Sequence, residues 1–157
     1  MKNLNLITLK VCKEKSIPYS NIQINHPKRA VRIIKKFISY TDRELLGVLM
    51  LNSVKEVNAV EIVSVGTLNA TVVSPREIFK GAILSNADSI VIFHTHPSGN
   101  VLPSQADLDM TAMINKVALI IGINLIDHII IGDDKYYSFA TEGYEFGGDV
   151  NDQQIQI

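Results

Sequence analysis

One cysteine, Cys12, stands alone in the chain, which excludes an intrachain disulfide and any zinc site built from several thiolates. No apolar run is long enough to cross a bilayer, so a membrane partner is not expected. The opening residues, Met1-Lys2-Asn3-Leu4-Asn5-Leu6-Ile7-Thr8, are interrupted by polar side chains and carry no small-residue cleavage signal. The expected compartment is therefore the cytoplasm. Internal repeats and interdomain linkers are also missing. Net charge is almost absent, at −1, but that total hides an asymmetry. Residues 1 to 55 hold eleven Lys or Arg against three acids, whereas the remainder holds four against thirteen. Much of the positive charge lies in Lys28-Arg29-Ala30-Val31-Arg32-Ile33-Ile34-Lys35-Lys36-Phe37-Ile38, where apolar residues recur at helical spacing. A solvated helix face is preferred there to a patch for nucleic acid or an acidic partner, and nothing in the segment supplies base specificity.

What the chain does have is a core. With 157 residues and 46% hydrophobic content it can form one domain. The pattern predicts a short extended N-terminal segment, a basic helix, strands near 44–51 and 56–65, and a helix over 75–86. A histidine-bearing strand, a loop, a helix over 105–121 ended by Gly122, and strands near 123–131 and 135–140 follow. Mixed strands and helices point to an α/β fold, a three-layer α/β/α sandwich with a mixed sheet. The boundaries expected are an extension over 1–27, a domain over 28–146 and a polar, turn-rich tail over 147–157.

The chemistry concentrates in His94-Thr95-His96-Pro97-Ser98-Gly99 and Pro103-Ser104-Gln105-Ala106-Asp107, directly after the apolar run Ser89-Ile90-Val91-Ile92-Phe93. On a strand, alternate side chains share a face and lie roughly 6.5 Å apart, so both imidazoles can reach one ion. Pro97 and Gly99 turn the chain, and Pro103-Ser104 starts a helix whose first turn carries Asp107 back toward the histidines. Two imidazoles and a carboxylate leave tetrahedral Zn²⁺ an open position, as a catalytic site requires. A second acid is then needed to carry the proton.

These residues resemble the motif of the JAMM (MPN+ or JAB) metallopeptidases: a distant Glu, then H-x-H, a spacer and S-x-x-D. The stretch His94 to Asp107, with Ser74-Pro75-Arg76-Glu77-Ile78-Phe79-Lys80 upstream and Asp127-His128-Ile129-Ile130-Ile131-Gly132 downstream, is similar to the RadC-like branch over roughly residues 28 to 146. The resemblance implies a fold related to that of cytidine deaminases, with His94, His96 and Asp107 as zinc ligands and Ser104 on the oxyanion side. It places the distant acid on Glu44, within Glu44-Leu45-Leu46-Gly47-Val48-Leu49-Met50, with Glu56 and Glu61 as rivals in the next alternating segment. It implies hydrolysis of an amide or isopeptide bond in a protein or peptide, with Glu44 as general base. Two departures stand out. Thr95 occupies a position usually held by Asn, facing away from the metal. Only some 27 residues precede the matched region, too few for the helix-hairpin-helix module that RadC-type chains usually carry, so a role in DNA repair is weakened.

Other readings of the same residues stay open. His-x-His can be ordinary strand histidines, and Ser104-x-x-Asp107 can be a helix cap, a role compatible with ligation. Ser74-Pro75-Arg76-Glu77 reads as a structural capping box, Ser98 as a turn residue and His26 as a surface residue before a helix. Asp127-His128, between apolar runs, reads as a buried pair that orients a loop or supports the ligands. A nucleobase deaminase would need His-x-Glu and Pro-Cys-x-x-Cys, which do not occur. A metal-dependent nuclease or phosphodiesterase, and a non-catalytic metal-binding scaffold, remain as alternatives.

Overall fold

In the computed structural model the described residues are 5–18, 23–38, 43–66 and 74–147. They form three helices and five strands: α1 (Pro27–Phe37), β1 (Leu45–Leu51), β2 (Val57–Val65), α2 (Pro75–Leu84), β3 (Ser89–Thr95), α3 (Gln105–Ile121), β4 (Asn124–Ile131) and β5 (Tyr136–Ser138). The strands make one mixed sheet in the order β2-β1-β3-β4-β5, antiparallel except for the parallel β3–β4 pair. A parallel pair needs a long crossover, and α3 supplies it.

Alternation along the central strands divides the core in two. In β1 all seven residues are buried; Leu46, Val48 and Met50 face α2 and α3, whereas Leu45, Leu49 and Leu51 face α1. Helix α1 buries Ala30, Val31, Ile33 and Ile34 and turns Lys28, Arg29, Arg32, Lys35 and Lys36 outward. Helices α2 and α3 cover the opposite face with Ile78, Phe79, Ala82, Met110, Ile114 and Ala118. The result is the expected three-layer α/β/α sandwich. Gly47 is required where β1 passes Phe93: a Cβ there would collide with the buried ring. Gly122 ends α3 in the left-handed region, at φ 75°, which favours glycine.

Several local expectations change. Helix α2 stops at Leu84 rather than 86, because the chain turns through Ser85 and Asn86, the latter at φ 49°. Strand β5 ends at Ser138, where a turn begins. Ser74 is the N-cap of α2 but makes no side-chain cap hydrogen bond. Its expected reciprocal partner Glu77 pairs instead with Lys80, one turn along, which also holds the Glu77 carboxyl below its ordinary range. His26 is exposed, as expected, and its Nδ1 accepts from the Lys28 amide at the start of α1. Residues 5–18 have neither helix nor strand, and the tail beyond Gly147 lies outside the described residues. Among the described residues no helix is long and apolar enough to cross a membrane.

Candidate metal centre and cleft

Strands β3 and β4 run parallel and β1 runs against them, so the C-terminal end of β3 and the start of β1 meet at one end of the central strands. There the register pairs Leu46 with His94, which sets Glu44 beside the end of the histidine strand although fifty residues separate the two. From the α3 face, Ser104 and Asp107 complete the group.

The donor atoms converge. His94 Nε2 lies 2.8 Å from His96 Nε2 and 3.1 Å from Asp107 Oδ1, and His96 Nε2 lies 3.7 Å from Asp107 Oδ2. Zinc–nitrogen bonds of about 2.0–2.1 Å at a tetrahedral angle separate two donors by about 3.3 Å. The observed distances bracket that spacing, and one donor atom from each residue falls within 4.8 Å of the others. The chemistry of the set, two imidazoles and one carboxylate, fits a divalent transition metal.

Each donor is held from behind. His96 Nδ1 lies 2.6 Å from the Asn100 carbonyl oxygen; a carbonyl can only accept, so Nδ1 donates and Nε2 is the ring nitrogen left to face the other donors. Asp107 is the third residue of α3, and Ser104 caps the helix in a reciprocal box. The Ser104 backbone amide and hydroxyl donate to Asp107 Oδ2 at 2.7 and 2.6 Å, leaving Oδ1 toward His94. Burial would raise the Asp107 pKa, but hydrogen bonds from His94 and Ser104 outweigh it and hold the carboxyl well below its ordinary range. The carboxylate is thus ionised and aimed.

His94 is fully buried and touches a third imidazole: its Nδ1 lies 2.8 Å from His128 Nε2. His128 stacks on Phe139, with ring centroids 4.6 Å apart, and its Nδ1 lies 2.6 Å from Thr111 Oγ1. Burial, and then the neighbouring His94, pushes His128 well below the ordinary histidine range, so the ring is neutral. Asp127 faces elsewhere. It accepts from the Ser138 hydroxyl and the Ala140 amide and holds the turn after β5.

An open cleft of about 420 Å³ lies over the group, lined by Glu44, His96, Ser98, Asn100, Leu102, Pro103, Ser104, Ala106 and Asp107. Of the three candidate acids, Glu44 alone lines it. Glu56 accepts from Asn52 in the β1–β2 turn, at the far end of β1, and Glu61 packs beside Gly81 of α2, where burial raises its pKa. Ser98 lines the cleft and also accepts from the Asn100 amide, a turn contact.

Thr95 does face away from the donors, onto the α1 side, but its hydroxyl is not idle. It accepts from the Leu45 amide at 3.0 Å and donates to the Arg43 carbonyl at 3.3 Å, the two peptide groups flanking Glu44. The Gly66 amide donates to the Glu44 carbonyl at 2.8 Å. Three hydrogen bonds therefore fix the backbone that carries Glu44 to the cleft. This bridge, and the contacts of Thr111 and Asn100, escaped the sequence reading. Thr111 had one local signal, its place four residues after Asp107 on the same face of α3.

The family model of the RadC-like JAB domain matches residues 24–144. A UPF0758 protein of Desulforudis audaxviator is 43% identical over 120 residues, covering 76% of this chain and 52% of the relative. One from Staphylococcus epidermidis is 40% identical over 126 residues, covering 80% of this chain and 56% of the relative. One from Clostridium acetobutylicum is 41% identical over 125 residues, covering 80% and 55%. The chain spans about half the length of the curated relatives it matches.

Proposed function

The chain belongs to the RadC-like JAB domain family, and from that premise and its cleft we propose that it is a zinc-dependent metallopeptidase cleaving an amide or isopeptide bond in a protein or peptide. The observation that carries the reading is the convergence of His94, His96 and Asp107 on one point while Glu44 and Ser104 line the same cleft. His94 and His96 would hold zinc through Nε2 and Asp107 through Oδ1. When bound, zinc supplies Lewis acidity, which brings the pKa of water at such a site to about 7 and polarises a carbonyl.

The protein's own groups do the rest. Glu44 takes the proton of the attacking water and returns it to the departing amine, so one carboxylate serves as base and then acid. The Ser104 hydroxyl donates to the oxygen that gains charge. It can leave Asp107 Oδ2 for that purpose because the Ser104 backbone amide keeps its own bond to the same oxygen. The cleft is open on one side, with Leu102 exposed at its rim, which leaves room for an extended chain. The two carboxylates lining the cleft, Glu44 and Asp107, match a one-metal hydrolase; a two-metal phosphodiesterase needs more acids.

The test is Glu44→Gln, assayed on a panel of peptides and isopeptide-linked conjugates with zinc content measured in parallel. The expected result is full zinc content and loss of turnover. Unchanged turnover would remove Glu44 from the mechanism. Cleavage of DNA by the wild type, abolished in His94→Ala, with no cleavage of any peptide or isopeptide, would replace this reading with the phosphodiesterase one.

A further inference from the structure

The residues ahead of α1 read as a strand without a sheet. Residues 5–18 have neither helix nor strand, and among the described residues no backbone hydrogen bond reaches them. Yet Leu6-Ile7-Thr8-Leu9-Lys10-Val11 has the composition and alternation of a strand, with Ile7, Leu9 and Val11 on one side and Leu6, Thr8 and Lys10 on the other. Leu6, Ile7, Leu9 and Val11 are between 56% and 101% exposed. Four large apolar side chains within six residues, all in water, mark a contact surface.

The sheet offers a matching edge. Its two margins are β5, three residues long, and β2, nine residues long. Among the described residues β2 pairs only with β1, so its outer row of amides and carbonyls has no backbone partner. Strand β2 contains neither Lys nor Pro, the residues that often blunt an edge. Two bulges against β1, at Asn58 and Val63, leave Ala59–Ile62 as a regular run. Pairing with Leu45 and Gly47 puts Val65 and Ile62 on the α1 face of the sheet with Val60, and Val65 and Ile62 are exposed there. Pairing with Val48 and Met50 puts Glu61 and Ala59 on the opposite face.

A strand added antiparallel to β2, with Lys10 opposite Glu61, matches both faces. Leu9 then lies opposite Ile62 and Val11 opposite Val60, which extends the apolar strip, while the Lys10 ammonium meets the Glu61 carboxylate on the other face. In the same register Cys12 lies opposite Ala59. The root of the segment is fixed near this edge, because the Ile24 amide donates to the Lys55 carbonyl at 2.8 Å, just before β2. From Ile24 to Val11 the chain reaches at most about 45 Å, so its own β2 is within range. The segment nevertheless stands clear of it. Two copies facing each other across a two-fold axis satisfy both surfaces at once, each segment lying on the other's edge.

We propose that this chain forms a dimer by strand exchange, in which Leu6–Val11 of each copy adds as an antiparallel strand to the β2 edge of the other. The interface uses no residue that lines the metal cleft.

The experiment is the solution mass of the full chain by light scattering across a dilution series, for wild type, Leu9→Lys and Ile62→Lys. Both changes fall on exposed side chains, so the fold, checked by circular dichroism, should be unaffected. Expected are twice the chain mass for the wild type and the single-chain mass for each variant, because a Lys on either strand puts a charge into an apolar pair. Register and partner are read from Ala59→Cys, oxidised and run without reductant. Directly opposite Cα atoms lie about 4.5–5.5 Å apart, within disulfide range, and Cys12 is the only native cysteine. A covalent dimer, lost when Cys12→Ser is added, is expected. A link closed within one chain would place the segment on its own edge and overturn the exchange. So would a wild type of single-chain mass at every concentration, or a dimer that persists in both Lys variants.

Discussion

Replacing Thr95 by Val tests how the fold delivers Glu44 to the cleft. Valine keeps the shape of threonine and removes the hydroxyl, so the Leu45 amide loses its acceptor and the Arg43 carbonyl its donor. Arg43 is exposed and water can satisfy its carbonyl, whereas Leu45 is only 6% exposed. The cost is therefore one buried unsatisfied N–H, about 1–3 kcal/mol. In a chain of this size that lowers Tm by about 2–12 °C. Urea denaturation of metal-free protein should show the midpoint falling with an unchanged slope. Thr95→Ser keeps the hydroxyl and should lose about 1 kcal/mol, for the missing methyl. Thr95→Asn should stay close to wild type, because the amide oxygen can accept from Leu45 and the amide nitrogen can donate to Arg43. Zinc content should be equal in all three variants, since Thr95 lies on the face of β3 away from the donors, while peptide cleavage should fall in Thr95→Val alone. A Thr95→Val protein within 0.5 kcal/mol of wild type, with full activity, would refute the bridge.

Ser104→Ala should cost about 0.5–2 kcal/mol by removing an observed cap, and Ser74→Ala should fall within about 0.5 kcal/mol of wild type because its side chain caps nothing; equal costs in urea titrations would contradict the difference between the two helices. Gly47→Ala should destabilise by about 1–3 kcal/mol or prevent folding, since the added methyl meets the buried Phe93 ring, and a soluble variant with wild-type Tm would show that the ring yields freely. Asp107 supplies the acid dependence: its folded pKa lies below the unfolded value, so its stabilisation is full above the ordinary carboxylate range and is lost as pH falls toward the folded pKa. Metal-free wild type should therefore lose stability below about pH 4 more steeply than Asp107→Asn, and parallel curves of urea midpoint against pH would exclude this contribution.

The donor set was legible in the sequence because its rules are local. Strand alternation puts His94 and His96 on one side, and a helix start brings Asp107 back toward them. The same kind of local rule failed at Ser74: Ser-x-x-Glu marks a helix start, but it cannot say whether Glu77 turns back to the cap or forward to Lys80, and the cation one turn along prevails. Glu44 could be selected only by resemblance, since its place depends on the antiparallel register of β1 on β3. His128 as the partner of His94 depends in turn on the parallel register of β3 and β4, which pairs Ile92 with His128. Thr95 shows the limit most clearly. That its side chain points away from the donors follows from alternation, but what it meets there is the backbone of a segment fifty residues away, and no single-strand pattern contains that contact.

The central claim, that His94, His96 and Asp107 hold a zinc ion, is tested most directly by elemental analysis of protein purified without added metal, wild type against His94→Ala. The account predicts about one zinc per chain in the wild type and none in the variant. A wild type that holds no metal even after zinc is offered, or a His94→Ala protein that keeps it, would contradict the claim.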